Sequence, residues 1–275
     1  MRKRAIAAVA ATGALALALT ACGSGPGKGG GDAKTLVVGA TAVPAGEVLD
    51  FIAKDLAEKE GLDLQVKEFT DYVLPNTALA EGQLDANLYQ NAPFLENFNT
   101  TKGTDLVPVT EAYLPPMGVY AEKLDDIAEL PAGATVAVPN ETTNEGRALL
   151  LLASQGVITL KEGAGVTADP ADITSNPKKL KFKELEPAQL PRVLGDVDAA
   201  VINSNYALDA GLDPKKDAVL LESAEGNEYA NVLAVKKGDE DDPRVKKLVT
   251  LLHSPEVKKF IQDTYKGSVL PAAAG

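Results

Sequence analysis

Apolar and polar positions along the chain switch repeatedly between two periods. Leu36-Val37-Val38 is a short apolar run of the buried-strand kind. Behind it Val48, Phe51, Ile52 and Leu56 recur at helical spacing, and Gly61 supplies a natural stop. Leu62, Leu64 and Val66 then return to the two-residue period of a strand. The exchange recurs further on. Strand-like residues 135–138 give way to an apolar helix around 149–152, and Leu180, Phe182 and the run 198–202 supply more strands. After Tyr229 comes another strand at 231–235, then two helices opened by proline at Pro243 and Pro255. Strands separated by helices of this length predict an α/β fold with largely parallel sheets.

Two stretches echo each other: 79–86 (LAEGQLDA) and 193–199 (VLGDVDA). Each reads as a helix end, a glycine stop and an Asp-Ala entering a short strand. The echo predicts two similarly wired lobes, one built from 34–116 with 229–275 and the other from 117–228. Two lobes joined by two crossings leave a cleft between them, a favoured place for a small ligand.

The N-terminus carries a different pattern. Arg2, Lys3 and Arg4 precede an uncharged run of 15 residues at 5–19, too short to span a bilayer as a helix, which needs about 20. Residues 1–21 therefore read as a signal peptide. The single cysteine, Cys22, follows Leu19-Thr20-Ala21, a junction resembling the bacterial lipobox, where the cysteine becomes an acylated N-terminus. Two or more acyl chains, such as diacylglyceryl and palmitate, anchor a protein stably where one does not. Residues 23–33, with six glycines in eleven positions, form a flexible stalk spanning roughly 18 Å root-mean-square. The lipoprotein so formed sits on the extracytoplasmic face of the cell membrane.

Charge narrows the partners. Taking Arg2, Lys3 and Arg4 from 27 basic residues leaves 24 against 39 acidic ones, a formal −15 for the processed chain. Such a surface repels phosphate backbones, so no nucleic acid is expected. The one histidine, His253, sits at a helix end. With one histidine and one lipidated cysteine there is no transition-metal cluster, and a hydrolase triad would have to use that same histidine. There is no phosphate-cradling GxxxxGK[ST] or GxGxxG segment and no sign of a cofactor. The chain reads as a binder, not an enzyme.

Binding chemistry concentrates in three places. Thr142-Thr-Asn144-Glu145 fits a capping box, with Thr142 as N-cap and Glu145 reaching back. Arg147 follows just after Gly146, and a guanidinium near helix-start amides suits a carboxylate. An arginine so placed is equally at home in solvent or in a salt bridge. The second concentration runs from Asp71 to Phe94; with Phe69 just before it, four aromatics (Phe69, Tyr72, Tyr89 and Phe94) fall within 26 residues of a chain otherwise poor in them. They fit either a lobe core or a pocket wall, with Tyr72 and Tyr89 placed in Asn- and Pro-rich turns. Third are Asn203 at a strand end and Asn231 entering a strand, turn formers or ligand-orienting amides.

These segments carry a resemblance. YVLPNTALAEGQLDANLYQNAPFL, VAVPNETTNEGRALLLL, ELEPAQLPRVL, DAAVINSNYA and EYANVLAV, in this order between about 35 and 269, resemble the NlpA/MetQ family of lipoproteins, substrate-binding components of methionine ABC importers. The resemblance implies a two-lobed type II periplasmic-binding-protein fold that closes on its ligand. It implies Arg147 on the ligand carboxylate, Asn203 and Asn231 on its α-amino and carboxylate groups, Asn144 beside them, and the thioether among Tyr72, Tyr89 and Phe94. Many members have histidine where this chain has Asn91. The function expected is capture of L-methionine and delivery to a membrane permease driven by a cytoplasmic ATPase. Alternatives are D-methionine, a methionine-containing dipeptide or another amino acid, or a surface-interaction lipoprotein that kept the fold.

Overall fold

A computed structural model describes residues 34–272; the leader, Cys22 and the glycine-rich stretch lie outside the described residues. In chain order the first part comprises β1 (Thr35–Thr41), α1 (Glu47–Asp55), β2 (Asp63–Phe69), α2 (Leu74–Ala80), β3 (Ala86–Asn91), α3 (Ala92–Lys102) and β4 (Leu106–Leu114). The middle part comprises β5 (Gly118–Tyr120), β6 (Thr135–Pro139), α4 (Thr142–Ser154), β7 (Thr159–Leu160), β8 (Ile173–Ser175), β9 (Lys181–Leu185), β10 (Ala199–Ile202), α5 (Ser204–Asp209), α6 (Pro214–Asp217) and β11 (Ala218–Leu221). The chain ends with β12 (Asn231–Lys236), α7 (Pro243–Leu252), α8 (Pro255–Tyr265) and β13 (Leu270–Pro271).

Two main sheets result. One has the order β13-β4-β12-β3-β1-β2, the other β11-β5-β10-β6-β9. Each centres on parallel pairs: β1 with β2 and β3, and β6 with β9 and β10. The expectation of largely parallel sheets needs correction, because β12 pairs antiparallel with both β3 and β4, and β5 antiparallel with β10 and β11. Those strands arrive from the other half of the chain or after a reversal, not through a helical crossover, so their direction is free to oppose.

The echo in the sequence has a structural counterpart. Asp85 accepts from the Val37 N–H at 2.8 Å, and Asp198 accepts from the Thr135 N–H at 2.8 Å. Each aspartate's own N–H returns to the carbonyl of that same residue, at 2.9 and 3.0 Å. In both sheets the carboxylate thus secures the early part of the strand next to one edge, β1 or β6. The parallel ends at the glycines. Gly82 takes a left-handed φ of +76° after α2, whereas Gly195 lies inside a 3₁₀ run, Pro187–Asp196.

The first core packs Leu36, Val38, Val48, Leu49 and Ile52 against Leu248, Leu252 and Ile261 of α7 and α8. Phe51 of α1 stacks on Phe260 of α8 with centroids 4.5 Å apart. Asp242 and Ser254, each before a proline, cap α7 and α8 by accepting from Arg244 and Val257 N–H groups. The second core gathers Val136, Val138, Leu149, Leu152 and Val201. His253 ends α7 and shares a 2.7 Å hydrogen bond with Thr110 Oγ1. The chain leaves the first sheet at Pro115-Pro116 and returns to it through residues 223–230.

Candidate functional site

The end of β3 and the start of β12 build one wall. Register places Asn231 beside both Asn91 of β3 and Tyr113 of β4. Asn231 Nδ2 donates to the Tyr113 hydroxyl at 3.2 Å, which leaves its Oδ1 for other partners. Asn91 caps α3: its Oδ1 accepts from the Phe94 N–H at 3.0 Å. Beneath them Asn76, Asn87 and Gln90 interlock, Gln90 Nε2 reaching Asn76 Oδ1 at 2.7 Å and Asn87 Oδ1 at 3.0 Å. That buried amide network holds β3 rigid against α2.

Aromatic rings form the next stretch. Tyr72 lies in a bend before α2, but Tyr89 is on strand β3 and not in a turn as expected. Tyr72, Tyr89 and Phe94 meet edge-on or tilted with centroids 5.8 to 6.0 Å apart. The Tyr89 hydroxyl donates to the Tyr72 carbonyl at 2.8 Å. Burial pushes both phenols well above their ordinary pKa, so they remain protonated donors. The Tyr206 ring of α5 lies 5.1 Å from Tyr72 and its hydroxyl reaches the Thr70 carbonyl at 3.1 Å.

The start of α4 differs from the predicted capping box. The N-cap is Glu141, whose carboxylate accepts from the N–H groups of Thr143 at 3.1 Å and Asn144 at 3.0 Å. A carboxylate accepts several donors at once where a hydroxyl accepts fewer, and the helix starts where most orphan N–H groups are met. Glu145 is buried instead, its Oε1 without a partner. Burial first, then the charges of Glu184, Asp169 and Glu141, pushes its carboxyl up to about 7. Gly146 permits a close approach, but of backbone: a Cβ there would stand 2.2 Å from the Val166 carbonyl oxygen.

Arg147 is 3% exposed and occupied on one side. Its Nε donates to Glu222 Oε1 at 2.9 Å, and its Nη2 to Glu222 Oε2 at 2.5 Å and to the Pro115 carbonyl at 3.2 Å. The Tyr229 ring covers the guanidinium 4.2 Å away. Arg147 thus touches both crossings between the sheets, at Pro115 on one and at Glu222 and Tyr229 on the other. Burial alone would raise the Glu222 carboxyl, but the arginine charge and the hydrogen bonds hold it below the usual carboxylate range. Nη1 has no hydrogen-bond partner among the described residues.

From β10, Asn203 donates its Nδ2 to Asn144 Oδ1 at 2.7 Å, while its own Oδ1 is buried with no partner. Ser204 donates to the Pro116 carbonyl, fixing α5 beside the first crossing.

One cavity gathers Arg147, Asn203, Asn231, Tyr72, Tyr89, Asn91, Phe94 and Asn144, all eight ligand-binding candidates of the sequence. Gln90, Pro115, Ser204 and Asn205 also line it. The space between these residues, including solvent at its mouth, is about 350 Å³. Among the described residues no cluster of three metal-ligating side chains occurs, and no helix is long and apolar enough to cross a membrane.

The model of a family described as NlpA lipoprotein matches residues 36–273. The chain belongs to that family. The methionine-binding lipoprotein MetQ of Bacillus subtilis is 40% identical over 245 residues, covering 87% of this chain and 89% of that one. The D-methionine-binding lipoprotein MetQ of Escherichia coli K12 is 41% identical over 237 residues, covering 86% of each. A nutrient-binding protein from Burkholderia cenocepacia, solved bound to methionine, is 52% identical with a TM-score of 0.84, covering 86% of this chain and all of that one. With them the NlpA-family chain shares the two-lobed α/β fold of substrate-binding proteins.

Glu222, Tyr229 and Glu141 were not foreseen. Glu222 lies 75 residues from Arg147, and nothing local in a Leu-Leu-Glu-Ser stretch signals that pairing. Glu141 precedes two threonines that are themselves good caps, which hides it.

Proposed function

We propose that this chain is a lipid-anchored receptor on the extracytoplasmic side of the membrane. It captures methionine, the L-enantiomer first, and delivers it to an ABC permease with a cytoplasmic ATPase. Residues 1–21 direct export, Cys22 carries the acyl chains, and 22–33 hold the body off the surface. The lobes divide at 34–116 with 229–275 and at 117–228, and close about Pro115-Pro116 and 223–230.

The observation that carries the reading is the unpaired Asn203 Oδ1, a buried acceptor on a residue that lines the cavity together with Arg147. An unsatisfied buried acceptor costs about 1–3 kcal/mol, which a ligand ammonium recovers. Arg147 Nη1 offers the carboxylate a donor that is still free beside the Glu222 pair. Tyr72, Tyr89 and Phe94 offer an unbranched thioether a flat apolar lining, and sulfur packs well against rings. This is a site for a zwitterion with an apolar tail, and it contains no nucleophile–base pair to act on one.

The test is mass spectrometry of the small molecule released when the purified protein is denatured, followed by calorimetry with both enantiomers. Recovery of methionine with tighter L-binding supports the reading. Tighter D-binding, suggested by the name of the Escherichia coli relative, moves the assignment to D-methionine. Recovery of a dipeptide or a polar amino acid overturns it.

A further inference from the structure

Three side chains in a row decide which atom the cleft presents to the ligand nitrogen. The first is Glu141, whose carboxylate accepts from both Thr143 and Asn144 N–H groups and serves this row as an acceptor. Asn144 donates to it from Nδ2 at 2.7 Å. That bond fixes the Asn144 amide, since the opposite orientation would set oxygen against carboxylate. Asn144 Oδ1 therefore faces Asn203, which must answer with Nδ2, at 2.7 Å. The Asn203 amide is fixed in turn, which leaves Oδ1 as the unpartnered atom of a residue that lines the cavity. Asn amides are rotationally ambiguous in isolation; here an acceptor-only group at one end removes the ambiguity along the whole row. Asn144 and Asn203 are 3% and 7% exposed, so water does not compete freely for these bonds.

We infer that Glu141 is a positioning residue for ligand selection, which through Asn144 and Asn203 commits the cleft to ligands whose α-substituent donates hydrogen bonds. This rests on the reading above that an α-amino acid occupies the cavity, and it adds the selection rule. An α-ammonium fits. An α-keto group of the same size meets oxygen with oxygen. A site built around a buried hydrogen-bonding group rejects the wrong polarity far more strongly than it rejects a change of one methylene. The protein is thereby built to take the amino acid and leave its 2-oxo acid, which has the same carboxylate and the same tail.

Glu141→Gln tests this. Through its oxygen the amide can still accept from one of the two backbone N–H groups that Glu141 serves, that of Thr143, so part of the α4 cap is kept, and a melting curve measures the cost of the rest. It can also present N–H to Asn144, which frees both asparagines to turn over. Calorimetry is run on wild type and variant with methionine and with its 2-oxo counterpart, 4-methylthio-2-oxobutanoate. Wild type is expected to prefer methionine by at least about a hundredfold, and the variant to lose at least about tenfold of that ratio. A merely structural role would weaken both ligands alike and leave the ratio unchanged, which would overturn the inference. Equal binding of the two by wild type would overturn it as well. If wild type takes a different amino acid, the methionine reading fails, and the same ratio is measured with that acid and its 2-oxo form. If it takes none, both readings fall.

Discussion

The Tyr72 hydroxyl donates to Asn205 Oδ1 at 2.5 Å, joining the bend before α2 to helix α5 across 133 positions of sequence. Both residues line the cavity, so a bond between the two halves of the molecule forms part of the cavity's own wall. Tyr72→Phe keeps the ring packing on Tyr89 and Phe94 and removes this bond. The expected loss is about 0.5–1.5 kcal/mol, roughly two- to tenfold in affinity. It should appear chiefly as faster release. Stopped-flow dissociation with an unchanged off-rate would remove Tyr72 from any role in holding the cleft shut.

Arg147→Ala should lose about 2–5 kcal/mol of ligand affinity, roughly 30- to 5,000-fold. Arg147→Lys should recover little of it, because an ammonium cannot serve Glu222, Pro115 and a ligand with one planar fork. The structure adds a stability effect. Arg147→Ala strands a buried Glu222 carboxylate, so the double variant Arg147→Ala/Glu222→Ala should melt higher than Arg147→Ala alone. Because Arg147 depresses the Glu222 pKa, the stability it brings is present above the unfolded carboxyl value and is lost as pH falls through the lower folded one. A pair with independent, additive effects on melting would contradict the coupling.

Glu145 works in the opposite direction. Its folded pKa of about 7 lies above its ordinary 4.5, so the folded state holds a proton that the unfolded state has released. Stability contributed by this group is full below about 4.5 and falls as pH rises to about 7, by up to about 3 kcal/mol. Glu145→Gln should therefore leave melting unchanged near pH 4 and raise it at pH 8. Denaturant titrations at the two pH values decide it, and an equal effect at both would remove the assigned titration.

Asn91 uses its oxygen to cap α3, so the group it has wholly free for a ligand is Nδ2. The side-chain region of the site is then donor-rich where a histidine would place a flat ring. A sulfoxide oxygen is an acceptor, and methionine sulfoxide should bind detectably behind methionine. In a thermal-shift series a ligand at a hundred times its dissociation constant adds about 2.7 kcal/mol, which is readily measured. Asn91→His should widen the gap between the two ligands and cost about 0.5–2 kcal/mol of stability through the weakened cap. An unchanged gap would show that Asn91 does not meet the ligand tail.

How much of this was legible in the chain depended on how local each cause was. The starts of α7 and α8 were readable because Asp242-Pro243 and Ser254-Pro255 mark helix starts by their own chemistry. The Asp85 and Asp198 echo was readable as a repeated local string, although the strands it secures, β1 and β6, lie 48 and 63 positions earlier. Arg147, Asn203 and Asn231 stood out by residue type at element ends, and one cavity does collect them. What stayed hidden was the company they keep. Glu222 and Tyr229 reach Arg147 by long-range folding, and the antiparallel course of β12 depends on where the chain returns. The start of α4 was misjudged because Glu141, Thr142 and Thr143 all have capping side chains, and the choice among them is made by Asn144 needing an acceptor.

The ion pair of Arg147 with Glu222 has a consequence for how the site meets its surroundings. A lone buried guanidinium would attract every small anion nearby, and its hold on a ligand would weaken as ionic strength rises. Here the guanidinium is already neutralised by a carboxylate of the same chain. A zwitterion entering brings no net charge to a pair that has none, so capture leaves the charge of the whole unchanged. The strongly acidic surface then neither steers nor repels the ligand. On the receptor reading proposed above, the site would hold its ligand equally well in dilute and in saline surroundings.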